Sequence, residues 1–253
     1  MTLPPAPLFI ALQFLTTIPI TLKSVPHDRD MGRSLLYYPL VGALIGGLLS
    51  GFSFLAGVVT ASASAPLIAA LTLTLWVLVT GGLHLDGLGD SVDALMGGLG
   101  DRQRTLDIMK DPTSGPMGVV SLILVLLIKF TALWLLIAAQ NWQGILIAPI
   151  IGRSVLVLLF LSTPYVRKGG LGALIDKHLP RQKSLMMLAG TLVFVLAIAG
   201  MSGFWCLLVS AGLFLMLRAV AMARLGGTTG DSAGAIVELT ELSVLVTMSF
   251  SGI

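Results

Sequence analysis

The sequence predicts an all-α fold, a polytopic integral membrane bundle in a single transmembrane domain over residues 1–253, and three observations carry that expectation. Of the 253 residues 56% are apolar and only 11% are charged, where a soluble domain carries roughly 25% charge. Mean hydropathy is +0.98. The apolar residues fall in stretches of about twenty, the helix length that crosses a ~30 Å hydrocarbon core, with short polar segments between them. This composition excludes a soluble Rossmann enzyme, a nucleic-acid-binding domain and a disulfide-built secreted module. Cys206 is the only cysteine and sits in an apolar run, so no redox chemistry is expected of it.

Six spans are expected, at about 35–60, 66–83, 119–139, 145–164, 184–202 and 204–222. A seventh, about 236–253, is short and closes the chain. Residues 7–22 are too short and too Pro-interrupted for a regular span, and read either as a tilted span or as a helix in the interface. No basic segment precedes them, so a cleaved leader is not expected. In the span 35–60, Gly42 and Gly46 have the small-residue spacing that lets two membrane helices approach closely.

The connections set the topology. Segments 23–34, 84–118, 165–183 and 223–235 are long and charged, whereas the links near 61–65, 140–144 and 202–203 are short and uncharged. Six helices threaded between them leave every charged segment on one face. Twelve of the fifteen basic residues gather there: Lys23, Arg29, Arg33, Arg102, Arg104, Lys110, Arg167, Lys168, Lys177, Arg181, Lys183 and Arg224. By the positive-inside rule that face is cytoplasmic. One chemically dressed face suits an enzyme at the membrane surface better than a transporter, which needs access from both sides.

The densest chemistry lies in Thr80–Ala94, TGGLHLDGLGDSVDA. Asp86, Asp90 and Asp93 stand at i, i+4 and i+7, which on a helix places three carboxylates on one face. Such acids repel unless a cation supplies the missing charge, and an oxygen-only ligand set suits Mg²⁺. His84 precedes them at the membrane boundary. Beyond lie Arg104, Lys110 and Asp111, then a Pro/Gly turn at 112–118. That turn either presents backbone N–H groups to an anion at the start of the next helix or is an ordinary loop.

A second glycine-rich segment, Arg224-Leu-Gly-Gly-Thr-Thr-Gly-Asp-Ser, is followed by Glu238 and Glu241. It reads as a phosphate cradle in which Thr228 and Thr229 take part and Asp231 is a further metal ligand. No Gly-Lys-[Ser/Thr] follows, so it is not a Walker A loop. Lys129 and Arg153 lie about nine or ten residues into their spans. Each either pairs with an acid such as Glu238 or Glu241 or meets a ligand in a polar cavity. Together these groups suit metal-dependent transfer of a phosphate-linked group.

The motif Gly81-Gly-Leu-His-Leu-Asp-Gly-Leu-Gly-Asp-Ser-Val-Asp resembles the signature of the cobalamin synthase family, the adenosylcobinamide-GDP ribazoletransferases. Ile108-Met-Lys-Asp with Gly115 and Gly118, the segment Gly226–Ala235 with Glu238 and Glu241, and Arg33–Pro39 with Gly42 are similar to its other blocks, in order along nearly the whole chain. The resemblance implies that a ribose hydroxyl of α-ribazole or its 5′-phosphate attacks adenosylcobinamide-GDP, releasing GMP. It implies Mg²⁺ as cofactor, the inner membrane as location, and an active site on the cytoplasmic face. It also allows a homo-oligomer and contact with other cobalamin-pathway enzymes. Carried onto this chain, Asp86, Asp90 and Asp93 hold the ion, joined by Asp231. Lys110, Arg104 and Arg224 meet phosphate oxygens, and an acid or His84 takes the hydroxyl proton. Arg33, Asp111, Arg153, Thr228, Thr229, Glu238 and Glu241 complete the expected substrate contacts.

The chain departs from the family pattern where Thr17 and Thr113 stand in place of common arginines and Ala94 in place of a common glycine. A CDP-alcohol phosphotransferase also clusters Asp residues at a membrane face. Its pattern begins Asp-x2-Asp-Gly with an Ala-Arg pair, and this chain has Asp86-Gly-x2-Asp90 with no such pair there.

Overall fold

The computed structural model describes residues 6–22, 25–59, 64–111, 113–167 and 169–250. Lys23 and Lys168 lie outside the described residues, as do Pro112, residues 61–63 of a short link and the last three residues of the seventh expected span.

Helix α1 (Ala6–Leu15) has ten residues, about 15 Å of rise. That is half a bilayer core, so of the two readings of 7–22, a tilted span and a helix in the interface, the tilted span is the one this helix is too short for. Its Ile10, Ala11 and Leu15 are buried in the core. Helix α2 (Asp28–Ser34) leads through a 3₁₀ turn into α3 (Tyr38–Val59). Helix α3 packs on α8 (Trp142–Ser162), the central helix, whose side chains are buried along most of its length. The close approach comes from Gly42 and Gly46: a Cβ on Gly42 would stand 2.5 Å from the Pro149 carbonyl oxygen, and one on Gly46 would clash with Leu146.

Helix α4 (Ala65–Thr80) and α5 (Leu83–Gly97) meet at 86°. Gly81 and Gly82 make the corner, with φ of 63° and 69°, a left-handed pair that only glycine adopts without strain. The end of α4 is held by Thr17, whose N–H donates to the Val79 carbonyl at 2.8 Å and whose hydroxyl donates to that of Leu78 at 2.9 Å. Thr17 thus holds the corner from which the carboxylate helix departs.

Short α6 (Arg102–Ile108) is capped by Asp101 and precedes α7 (Pro116–Ala138). Helix α9 (Gly170–His178) lies beyond α8. Helix α10 (Arg181–Leu225) contains two of the expected spans: Gly200, at φ 51° and ψ −128°, breaks it. The chain reverses there, since a Cβ on Gly203 would lie 2.8 Å from the Val195 carbonyl oxygen. Both ends of α10 return to one place, with Arg181 donating to the Leu161 carbonyl and Arg218 to that of Ser162. Arg218, expected inside a span, therefore joins the charged end. Helix α11 (Gly230–Phe250) begins six residues before the expected 236 and has 21 residues, a full crossing rather than a short one.

The charged segments converge at one end of the bundle. Arg224 donates to the Leu95 carbonyl at 2.7 Å, and Arg167 donates to the Met109 carbonyl at 3.0 Å and to Asp231 at 2.6 Å. The molecule is thus a multi-pass helical membrane protein with one elaborated face.

Candidate functional site

Helix α5 carries Asp86, Asp90 and Asp93 across the elaborated end of the bundle, packed between α7 and α11. Gly87 lets it touch the start of α11: a Cβ there would be 2.8 Å from the Asp231 carbonyl oxygen. That approach brings a fourth acid to the group. Asp86, Asp231 and Asp93 all act electrostatically on Asp90, and Arg167 is the one cation acting on it. Among the described residues, then, the charges that act on Asp90 are three further carboxylates and the Arg167 guanidinium.

The four acids are not equivalent. Both oxygens of Asp93 accept backbone N–H groups at the head of α7, from Gly115 at 2.7 Å and Gly118 at 2.8 Å. The anion at this helix start is thus the protein's own carboxylate. Asp231 pairs with Arg167. Asp86 lies in the first turn of α5, where the helix dipole favours an anion.

The glycine-rich segment before α11 is likewise filled from within. Thr229 accepts from the Ser232 N–H at 3.2 Å while Ser232 accepts from the Thr229 N–H at 2.8 Å, a reciprocal capping box. Thr228 bonds to the same Ser232 hydroxyl at 2.9 Å, and neither threonine is exposed. Both hydroxyls of the expected cradle, Thr228 and Thr229, thus bond within the protein. Arg224 is likewise engaged, by the Leu95 carbonyl near the end of α5.

Deeper in the bundle, Lys129 lies 2.5 Å from Glu238 and 2.9 Å from Glu241, and Arg153 pairs with Glu241. The Lys129 ammonium also sits 4.3 Å from the Trp76 ring centroid. Arg153 and Glu241 are 0% exposed, so of the two readings of Lys129 and Arg153 the structure realises the internal ion network. Arg153, Glu238 and Glu241, expected as substrate contacts, are here partners of one another and of Lys129. Because α11 starts early, both glutamates lie near its middle, not in its first turns.

His84 links the two regions. Its Nδ1 is 3.5 Å from Arg153 Nη2. A guanidinium only donates, so Nδ1 accepts and the hydrogen resides on Nε2.

The remaining expected contacts lie at the rim. Lys110 is exposed and pairs with Asp107 at 3.1 Å; Gln103 and Lys110 hold the Asp107 carboxyl below its ordinary range. Asp111 accepts from the Thr113 hydroxyl at 2.6 Å and its N–H at 2.9 Å, which also keeps that carboxyl low. Arg104 is exposed on α6. Arg33 lies 3.9 Å from Asp30 and lines a separate surface cleft with His27, Arg29 and His178.

Beneath the acids is a cavity of about 220 Å³, lined by His84, Asp86 and Asp231 and by Phe14, Tyr38, Phe160 and Tyr165 among others. Burial pushes the Tyr165 hydroxyl above its ordinary range. Sequence reading missed this cavity, and it missed Arg167 as the partner of Asp231. Arg167 had been visible only as one of twelve basic residues, and the aromatic walls come from α1, α3, α8 and the loop after it, segments with no shared motif.

The family model described as Cobalamin-5-phosphate synthase matches residues 7–249. An adenosylcobinamide-GDP ribazoletransferase of Pseudomonas entomophila (strain L48) is 55% identical over 95% of this chain and 97% of its own length. One of the same name from Pseudomonas putida (strain W619) is 53% identical over 97% and 99%. A third, from Pseudomonas savastanoi pv. phaseolicola, is 54% identical over 96% and 98%. No solved structure matches the chain.

Proposed function

The chain belongs to the cobalamin-5-phosphate synthase family, and we infer that it catalyses the reaction for which its relatives are named, joining ribazole to the cobinamide phosphate of adenosylcobinamide-GDP with release of GMP. The acceptor is α-ribazole or its 5′-phosphate. A ribose hydroxyl oxygen bonds to the phosphorus next to the cobinamide arm, the bond from that phosphorus to the GMP phosphate breaks, and GMP leaves with the electron pair. The hydroxyl proton passes to a carboxylate. The single observation that carries this reading is the uncompensated acid cluster, with Asp86 and Asp231 at the mouth of a cavity.

Mg²⁺ fits this site by donor chemistry. Among the described residues no three His, Cys, Asp or Glu side chains form a protein-only cage, and Mg²⁺ does not need one: it typically takes one or two carboxylates plus substrate phosphate oxygens and water. Asp86 and Asp90 are the proposed ligands, since Asp93 caps α7 and Asp231 is paired with Arg167. When bound, the ion neutralises charge on the pyrophosphate and on the departing phosphate.

The protein's own groups divide the remaining work. Asp231 lines the cavity and is held by Arg167, which places a carboxylate oxygen to receive the hydroxyl proton. His84, with Nδ1 turned to Arg153, offers an N–H and acts as a donor rather than a base. Lys110 and Arg104, exposed at the rim, are proposed to meet the phosphates of the incoming donor. We place the elaborated face in the cytoplasm at the inner membrane, on the strength of the basic residues concentrated there.

The test is GMP release by purified protein supplied with adenosylcobinamide-GDP and α-ribazole, with Mg²⁺ or with EDTA. Release that needs both acceptor and Mg²⁺ supports the whole reading. Release without acceptor would make the protein a hydrolase, and none from folded protein would overturn the transferase.

A further inference from the structure

We infer that the aromatic-walled cavity beneath the carboxylates is the acceptor site, taking the flat base of the ribazole nucleoside and turning its ribose toward Asp86 and Asp231. This rests on the transferase reading above.

Size comes first. At about 220 Å³ the cavity is below the ~300–1,000 Å³ of pockets that enclose a drug-sized ligand. A corrin macrocycle does not enter it, while a bicyclic heterocycle with part of its sugar does. Shape comes second. Two aromatic pairs border the space: Phe14 and Tyr38 with centroids 6.3 Å apart and planes at 23°, and Phe160 and Tyr165 at 6.0 Å and 20°. Such faces take a planar base by stacking.

Polarity then separates the two bases the reaction offers. Side-chain polar groups on the walls are His84, Asp86, Asp231 and the two tyrosine hydroxyls, and the rest is Leu, Ile, Phe, Ala and Gly. Most of the lining is apolar, which suits an apolar base better than guanine, whose edge carries several donors and acceptors that need partners. An apolar base meets no such obstacle. Its sugar, at the acidic edge, lies beside the groups proposed to hold the ion and receive the proton.

The experiment uses the full chain in lipid nanodiscs, as wild type, Phe160→Ala and the volume-sparing Phe160→Leu. Retention of radiolabelled α-ribazole is measured without donor. The KM values for α-ribazole, α-ribazole 5′-phosphate and adenosylcobinamide-GDP are measured in turnover. Loss of one stacking face predicts that both acceptor KM values rise about tenfold or more in Phe160→Ala. They rise less in Phe160→Leu, with the donor KM within twofold of wild type. A rise confined to the donor KM would assign the cavity to guanine and overturn the inference, as would no change in any KM. If wild type releases no GMP, the transferase reading fails separately. Labelled nucleoside that wild type retains and Phe160→Ala loses would then still uphold the cavity, and no retention by wild type would overturn it.

Discussion

Two acid clusters lie one above the other in this bundle, and their charge balance differs. Near the elaborated face, Asp86, Asp93, Asp231 and the Arg167 guanidinium are the charges among the described residues that act on Asp90. Deeper, Glu238 and Glu241 face Lys129 and Arg153, two charges against two. Burial explains the second: an ion without a partner is costly there, so the charges cancel. The first tolerates its excess because it borders a cavity and the polar end of the bundle. We read the imbalance, kept beside a cavity, as the place of the chemistry, and the buried balance as architecture.

That contrast yields predictions of decreasing size. Asp86→Asn removes a proposed ion ligand, and GMP release should fall by about a thousandfold or more with the thermal unfolding transition unchanged. Glu241→Gln should do the reverse. It leaves two buried cations against one acid, and loss of one member of a buried pair typically costs about 3–5 kcal/mol. A lower melting temperature and a poorer folded yield in detergent are expected, while the folded fraction keeps most of its turnover. Asp93→Asn removes the charged cap of α7 and should cost roughly 1 kcal/mol, with less than a tenfold loss of GMP release. Lys110→Ala should leave the melting temperature unchanged, since the pair with Asp107 is exposed. It should raise the donor KM several-fold if the phosphates pass this rim; an unchanged KM would remove Lys110 from the site.

The sequence carried the architecture well because length and hydropathy are nearly sufficient for spans in a bilayer. Gly42 and Gly46 announced a tight helix contact, and α3 meets α8 there. The spacing of Asp86, Asp90 and Asp93 announced a carboxylate helix, and α5 is that helix. What a linear reading could not carry was which polar groups satisfy one another. Asp93 looked like a third ligand because its spacing is that of the other two; only the arrival of Gly115 and Gly118 shows it to be a cap. Thr228 and Thr229 looked open to phosphate because a capping box and an anion cradle share the same residue types. Glu238 and Glu241 looked terminal because polar residues at 230–235 masked the first turns of α11. In each case a chemically suggestive residue served a helix end or an ion pair.

The most direct test of the distinction between the clusters is Mn²⁺ binding, followed by electron paramagnetic resonance in the presence of pyrophosphate. Wild type, Asp86→Asn and Glu241→Gln would be titrated, each in folded form. The account predicts that Asp86→Asn weakens binding at least tenfold and Glu241→Gln leaves it near wild type. Unchanged binding in Asp86→Asn, with loss in Glu241→Gln, would place the ion at the deep cluster and contradict it.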